Sequence, residues 1–160
     1  MHSLMEPVYF SEKQRFTQAW LWISFGLQSS VALTVLLLIP NPATWWAAGI
    51  IAAVALLLGT ATLRTQVRPD GIHYRFFPFH RRWRHIPRQD IRRYYLRTYQ
   101  PISEYGGWGL RRSARHGRAY NTKGDHGLQL ELANGQKILF GTGHGEAFRE
   151  AMEKVVGRQP

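Results

Sequence analysis

Arg81, Arg82, Arg84, Arg88, Arg92, Arg93, Arg111, Arg112, Arg115 and Arg118 crowd the middle of this 160-residue chain. A guanidinium is planar, permanently charged and presents donors in a fork that matches phosphate or carboxylate oxygens two at a time. The chemistry such a set can do is the capture of anions. Trp108 sits beside this run in Tyr105-Gly106-Gly107-Trp108-Gly109, and Trp next to Arg is a pairing used at interfaces and in cation–π stacking. Residues 64–118 hold fourteen arginines against Asp70, Asp90 and Glu104, a net charge of +11, while the residues on either side balance to zero. Three acids among so many bases are poor provision for acid–base catalysis.

Other chemistry finds little support. The chain has no cysteine, which excludes disulfides, thiolate catalysis and Cys-ligated zinc. The seven histidines, His2, His73, His80, His85, His116, His126 and His144, show no His-Glu-x-x-His spacing and no partner one helical turn away, so no metal ligands are singled out. Gly141-Thr142-Gly143-His144-Gly145-Glu146 lies between a strand and a helix, but no Gly-Lys-Ser/Thr closes it. Its first helical turn is acidic and would repel phosphate. No catalytic residues and no cofactor are expected.

The elements that must carry the arginines come in two unlike halves. No charged residue occurs from Trp20 to Ile39 or from Trp45 to Leu63, and Pro40-Asn41-Pro42-Ala43-Thr44 separates the two runs. At 1.5 Å per residue each run spans roughly 30 Å, the thickness of a bilayer's hydrocarbon core. The pattern predicts a transmembrane hairpin over 16–63, with spans at about 20–39 and 45–63, after a segment 1–15. Lys13 and Arg15 precede the first span, Arg64 and Arg68 follow the second, and the connecting turn is uncharged. The positive-inside rule then places both ends in the cytoplasm and the hairpin in the inner membrane. Ser11-Glu12-Lys13-Gln14 has capping-box spacing and predicts a helix start near Glu12. Gly26 with Ser30, and Gly49 with Ala53, are small residues four apart that permit close helix approach, within the hairpin or in a homo-oligomer.

From residue 64 the pattern changes to strands. They are expected at Ile72 to Phe79, Arg84 to Pro87, Ile91 to Tyr99, Leu128 to Leu132 and Lys137 to Phe140, with Asn134-Gly135 as a hairpin turn. Residues 100–118 read as a Gly- and Arg-rich loop. Phe148, Ala151, Met152, Val155 and Val156 form an apolar stripe that predicts a helix over Glu146 to Val156.

Asp70-Gly71-Ile72, Ile86-Pro87 with Asp90-Ile91, the Asn134-Gly135 hairpin and the closing helix together resemble bacterial pleckstrin-homology (PH)-like domains, which a two-helix hairpin commonly precedes. Tyr105 to Arg111, Ala119-Tyr120-Asn121, Gly127 to Leu130 and Leu139 to Thr142 resemble one small uncharacterised subfamily, although Gly143-His144 departs from it. The resemblance implies an α+β fold, a transmembrane hairpin followed over 64–160 by two antiparallel sheets capped by a C-terminal helix. It implies no catalytic residues and no phosphoinositide specificity. Bacterial domains of this group serve as protein-interaction or assembly modules.

The arginines keep three readings: a solvated surface, apposition to an anionic membrane leaflet, and nucleic-acid binding. Each Lys or Arg near an anionic bilayer contributes about 1 kcal/mol, and a membrane tether makes lipid head groups the geometrically favoured partner. Nucleic acid is disfavoured on the same ground. The expected function is a non-enzymatic, membrane-anchored module that binds anionic lipids through the arginines, with Trp108 as an interfacial anchor. The alternative is a protein-interaction or assembly module that docks another protein, or a second copy, through residues 100–118.

Overall fold

The computed structural model describes residues 7–158. Its order is β1 (Phe10–Arg15), α1 (Ala19–Leu38), α2 (Pro42–Thr60), β2 (Thr62–Arg68), β3 (Gly71–Phe77), β4 (Arg84–Pro87), β5 (Ile91–Thr98), α3 (Pro101–Tyr105), β6 (Gly109–Ser113), β7 (Gly117–Asn121), β8 (His126–Leu132), β9 (Lys137–Gly141) and α4 (Gly145–Val156). The fold is α+β. The chain forms two compact units, one of α1 and α2, the other of the two sheets with α4.

The first unit is the apolar hairpin. Asn41 caps α2 reciprocally: its side chain accepts from the Thr44 amide at 3.1 Å, and its own amide donates to the Thr44 hydroxyl at 3.2 Å. Pro42 stands at the first helical position, where its missing N–H costs nothing. No residue of either helix is buried, and both are long and apolar enough to cross a membrane. A helix hydrophobic all round with no buried residue is suited to lipid. The small-residue pairs do not form the seam between the helices. A Cβ on Gly26 or Gly49 would meet nothing within 4 Å, whereas one on Gly59 would lie 3.4 Å from the Trp22 ring.

In the second unit the sheets run β1-β2-β3-β4 and β5-β8-β9-β7-β6. Ile72, Tyr74 and Phe76 share one buried face of β3, as their alternation predicts, with Leu63 and Val67 of β2. Leu128 and Leu130 of β8, Phe140 of β9 and Phe148, Ala151, Met152 and Val155 of the α4 stripe are buried as well, with Val156 half-buried, and α4 packs on β2, β5 and β8. Phe10 of β1 stacks on Phe148 of α4 at 4.6 Å between ring centroids.

Three expectations are corrected. Ser11 to Gln14 do not cap a helix; they belong to β1, and the first helix starts at Ala19. The β pairing wins because these side chains have partners far along the chain. Gln14, 5 % exposed, donates to the Gly141 carbonyl at 2.6 Å and accepts from the Thr122 hydroxyl at 3.2 Å. Glu12 accepts from the Thr142 hydroxyl at 2.6 Å and the Gly143 amide at 2.9 Å. The unit therefore draws on β1 as well as on everything from Thr62 onward, and the helical hairpin is inserted between two neighbouring strands of one sheet.

Secondly, residues 100–118 are not a loop but α3 followed by β6 and the start of β7. Arg97 supports α3 from β5: it pairs with Glu104 at 2.8 Å and donates to the Tyr105 hydroxyl at 3.1 Å and to Gln129 at 3.0 Å. Tyr99, Tyr105, Ala119 and Leu139 then form a second small core on that side of the sheet. Gln129 is consequently buried, although alternation marks it as solvent-facing. Thirdly, the second sheet is mixed, because β7 runs parallel to β9. Gly117, at φ +80°, makes that approach possible: a Cβ there would stand 2.2 Å from the Lys137 carbonyl oxygen.

Replacing Gln14 by Ala leaves a buried carbonyl and hydroxyl without their partner, at a cost of about 1–3 kcal/mol. Denaturant unfolding of the sheet unit, followed by tyrosine and tryptophan fluorescence in the full-length protein, reads this loss. A fragment that begins at residue 64 will show a larger loss, and rejoining residues 7–14 to Thr62 will recover it.

Candidate anion-binding cleft

β6 and β7 pair so that Arg112 stands directly opposite Arg118, on the same face of the sheet. Two like charges in that relation are mutually destabilising unless something neutralises them. Across from them the connection after β3 brings in His80, and β4 opens with Arg84. These side chains, with Leu110, Arg111 and Tyr120, line a cleft of about 340 Å³. Its aromatic wall is built from core residues. Tyr74 lies 4.9 Å from Tyr120 and 6.2 Å from His80 between ring centroids, and Tyr120 stacks on Phe140 at 5.4 Å. The tyrosine hydroxyls lie 3.5 Å apart.

None of Arg84, Arg111, Arg112 and Arg118 has an ion-pair partner among the described residues. By contrast, Arg97 is held by Glu104, and Arg149 by Glu146 and Glu153. Arg111 donates only to the Trp108 carbonyl, at 3.0 Å. His80 Nδ1 is buried without a hydrogen-bond partner among the described residues. Burial, and then the charges of Arg84 and Arg118, hold the His80 imidazole below its ordinary value of 6.5. The cleft thus combines the uncompensated cations Arg84, Arg112 and Arg118 with the His80 imidazole and the Tyr120 ring, a set suited to accepting an oxyanion.

The structure brings together Arg84, Arg112 and Arg118 of the arginines expected to bind; Arg111 edges the cleft but turns its guanidinium to the opposite face, toward Gly107 and Trp108. Arg115 lies next door, with Lys137, in a second depression of about 280 Å³ that shares Arg112 and Arg118. Arg81, Arg82, Arg88, Arg92 and Arg93 are exposed and do not line the cleft. Arg93 lies 5.2 Å over the Tyr95 ring. Trp108 is half-buried, its indole N–H donating to the Gly124 carbonyl at 2.9 Å, and it is not a cleft residue. His80, Tyr120 and Lys137 were not singled out as binding residues in the sequence; the β7–β9 pairing that places Tyr120 and Lys137 is long-range and parallel, and leaves no local signature.

A larger groove, of about 600 Å³, runs past Leu96, Lys123, Asp125, Gly143 and Glu146. It carries both signs of charge, and Glu12 already takes the Gly143 amide at its edge. That contact, together with the acidic first turn of α4, closes the Gly141 to Gly145 turn to phosphate. The chain matches no protein-family model, no curated protein and no solved structure.

Protonating His80 adds a positive charge beside two others, so removing one of them makes protonation easier. Arg118→Gln will raise the His80 titration toward 6.5, measured by ring-proton NMR against pH. In the wild type the unfolded chain binds the proton more readily than the folded one. Stability therefore rises with pH between the depressed folded value and 6.5, and this slope will shrink in the variant.

Proposed function

We propose that this chain is a non-enzymatic, membrane-anchored module whose cleft binds the phosphate of anionic lipid head groups. The observation that carries the reading is that Arg84, Arg112 and Arg118, without protein counter-charges among the described residues, line one cleft with His80. The two apolar helices supply the anchor. Lys13 and Arg15 before them, Arg64 and Arg68 after them, and an uncharged connection favour the cytoplasmic face of an inner membrane for the sheet unit, by the positive-inside rule. The insertion of the hairpin between β1 and β2 supports this, since the chain must return to the unit that it left. The likeness to PH-like domains supports the same arrangement but supplies no ligand.

A second reading, docking of a protein or of another copy through residues 100–118, is favoured by Ile102, an apolar side chain 70 % exposed on α3. The two readings use different residues and separate experimentally.

Full-length protein held in nanodiscs of neutral phosphatidylcholine is mixed with large vesicles, neutral or rich in phosphatidylglycerol, and binding in trans is read by co-sedimentation. The expected result is capture of anionic vesicles only, fading as salt rises. Replacing Arg84, Arg112 and Arg118 by Gln will weaken it about a hundredfold, at about 1 kcal/mol per charge, and replacing Arg81, Arg82 and Arg93 will weaken it much less. Equal loss in both triple variants reduces the cleft to part of a diffuse cationic surface. No capture at low salt overturns lipid binding, and lost self-association in Ile102→Asp would then favour the docking module.

A further inference from the structure

Away from the cleft, the turn between β2 and β3 carries Asp70, and β3 and β4 carry His73 and His85 in direct cross-strand register. The two imidazole rings stack at 4.4 Å between centroids, 21° from parallel. Both present Nε2 to one carboxylate oxygen: Asp70 Oδ2 lies 2.9 Å from His73 Nε2 and 3.2 Å from His85 Nε2. The two nitrogens and the oxygen all lie within 4.8 Å of one another.

We propose that Asp70, His73 and His85 form a binding site for a borderline divalent transition ion of the zinc class. Two imidazole nitrogens and one carboxylate oxygen are a donor set that such ions accept, and hard oxygen-seeking ions such as magnesium do not prefer it. Around a tetrahedral ion with bonds of about 2.0–2.1 Å, neighbouring donors stand about 3.3 Å apart. The two nitrogen–oxygen separations are already within a few tenths of an ångström of that figure. Each neutral imidazole gives the ion its Nε2 lone pair and keeps its one proton on Nδ1, so only a proton beyond that one leaves to solvent.

The scaffold suits the role. A directly opposed pair on adjacent antiparallel strands fixes two ligands on rigid backbone, and the third comes from the tight turn that begins β3. There Gly71 lets the Ile86 carbonyl oxygen approach to 2.1 Å of where a Cβ would stand. Side-chain exposures of 17 % for His73, 38 % for His85 and 39 % for Asp70 leave the remaining coordination positions open to solvent. With neutral histidines the triad carries a single negative charge, in a segment otherwise short of acids. The site ties β4 to the β2–β3 turn, and three protein ligands leave room for water or a ligand from a partner.

The test uses untagged full-length protein in neutral detergent, stripped with a chelator. Zn²⁺ is titrated by calorimetry, and Co²⁺ by its visible absorption. The expected result is one equivalent bound, with the ring signals of His73 and His85 shifting together in NMR. Affinity should fall at least tenfold in His85→Ala, whose side chain is partly exposed and whose loss leaves the Asp70–His73 hydrogen bonds in place. His126→Ala and His144→Ala, at exposed histidines that each have a single acidic neighbour, should leave binding unchanged. Absence of a stoichiometric Zn²⁺ site in the wild type, or unaltered binding in His85→Ala, overturns the proposal. Run with chelator present, the vesicle test of the cleft is independent of this site, and neither result here bears on it.

Discussion

The pairing of β1 with β2 across an inserted pair of helices is the constraint on which the rest depends. Strands that neighbour each other in a sheet are usually close in sequence, since loop closure costs entropy before the pairing repays it. Here the intervening chain is a helical hairpin with a capped turn, stiff and self-returning. What fastens β1 is not the ladder alone. Gln14 and Glu12 reach over to the β8–β9–α4 region, where Gln14 bonds Gly141 and Thr122, and Glu12 bonds Thr142 and Gly143. A buried amide satisfied at both ends loses both bonds if the strand slips, because a one-residue shift turns every side chain to the other face. Register, sheet closure and the start of α4 are therefore set together.

The same economy governs the charges. Of the three acids in the arginine-rich stretch, Glu104 is committed to Arg97 and holds α3 over the second small core. Burial would raise the Glu104 pKa, but the Gln100 amide and Arg97 more than offset this, and its carboxyl is held below the usual range. Asp70 is committed to His73 and His85. Structural ion pairing thus commits Arg97 to Glu104 and leaves the arginines of β4, β6 and β7 without a carboxylate among the described residues. Arg97 is braced by a carboxylate at the edge of the core, whereas Arg84, Arg112 and Arg118 face solvent with no carboxylate among the described residues. Composition alone does not distinguish them.

Elements with a strong local period were legible in the sequence: the two apolar helices, the β3 alternation of Ile72, Tyr74 and Phe76, the Asn134-Gly135 hairpin and the stripe of α4. What was not legible depended on partners distant in sequence. Ser11 to Gln14 have the spacing of a capping box, and only Gly141, Thr122 and Thr142, far along the chain, decide for a strand. The arginines were visible as a cluster, but which of them converge follows from β6 pairing with β7 and β7 running parallel to β9. Glycines between 106 and 117 signalled a loop; they are the positions that let α3 end, β6 begin and β7 approach β9. His73 and His85 failed a test of helical spacing because their relation is across two strands, and register becomes visible only once β3 and β4 are paired.

The physical case for an anion in the cleft rests on burial as much as on charge. Exposed arginines facing solvent are screened within about 10 Å at 0.1 M salt and need no partner. An imidazole nitrogen shut away from water without a hydrogen bond is different, because that cost is independent of ionic strength and only a partner removes it. His80 Nδ1 is such an atom, and around it stand two arginines that oppose its protonation. An oxyanion with a remaining proton can donate to that nitrogen. A fully ionised one restores the balance by letting His80 take up a proton and become a donor itself. Under the proposed function, the anion meets a need that mobile counter-ions outside the cleft cannot. That is why the proposal rests on Arg84 and Arg118, the charges felt by His80, rather than on the equally charged Arg81 and Arg92.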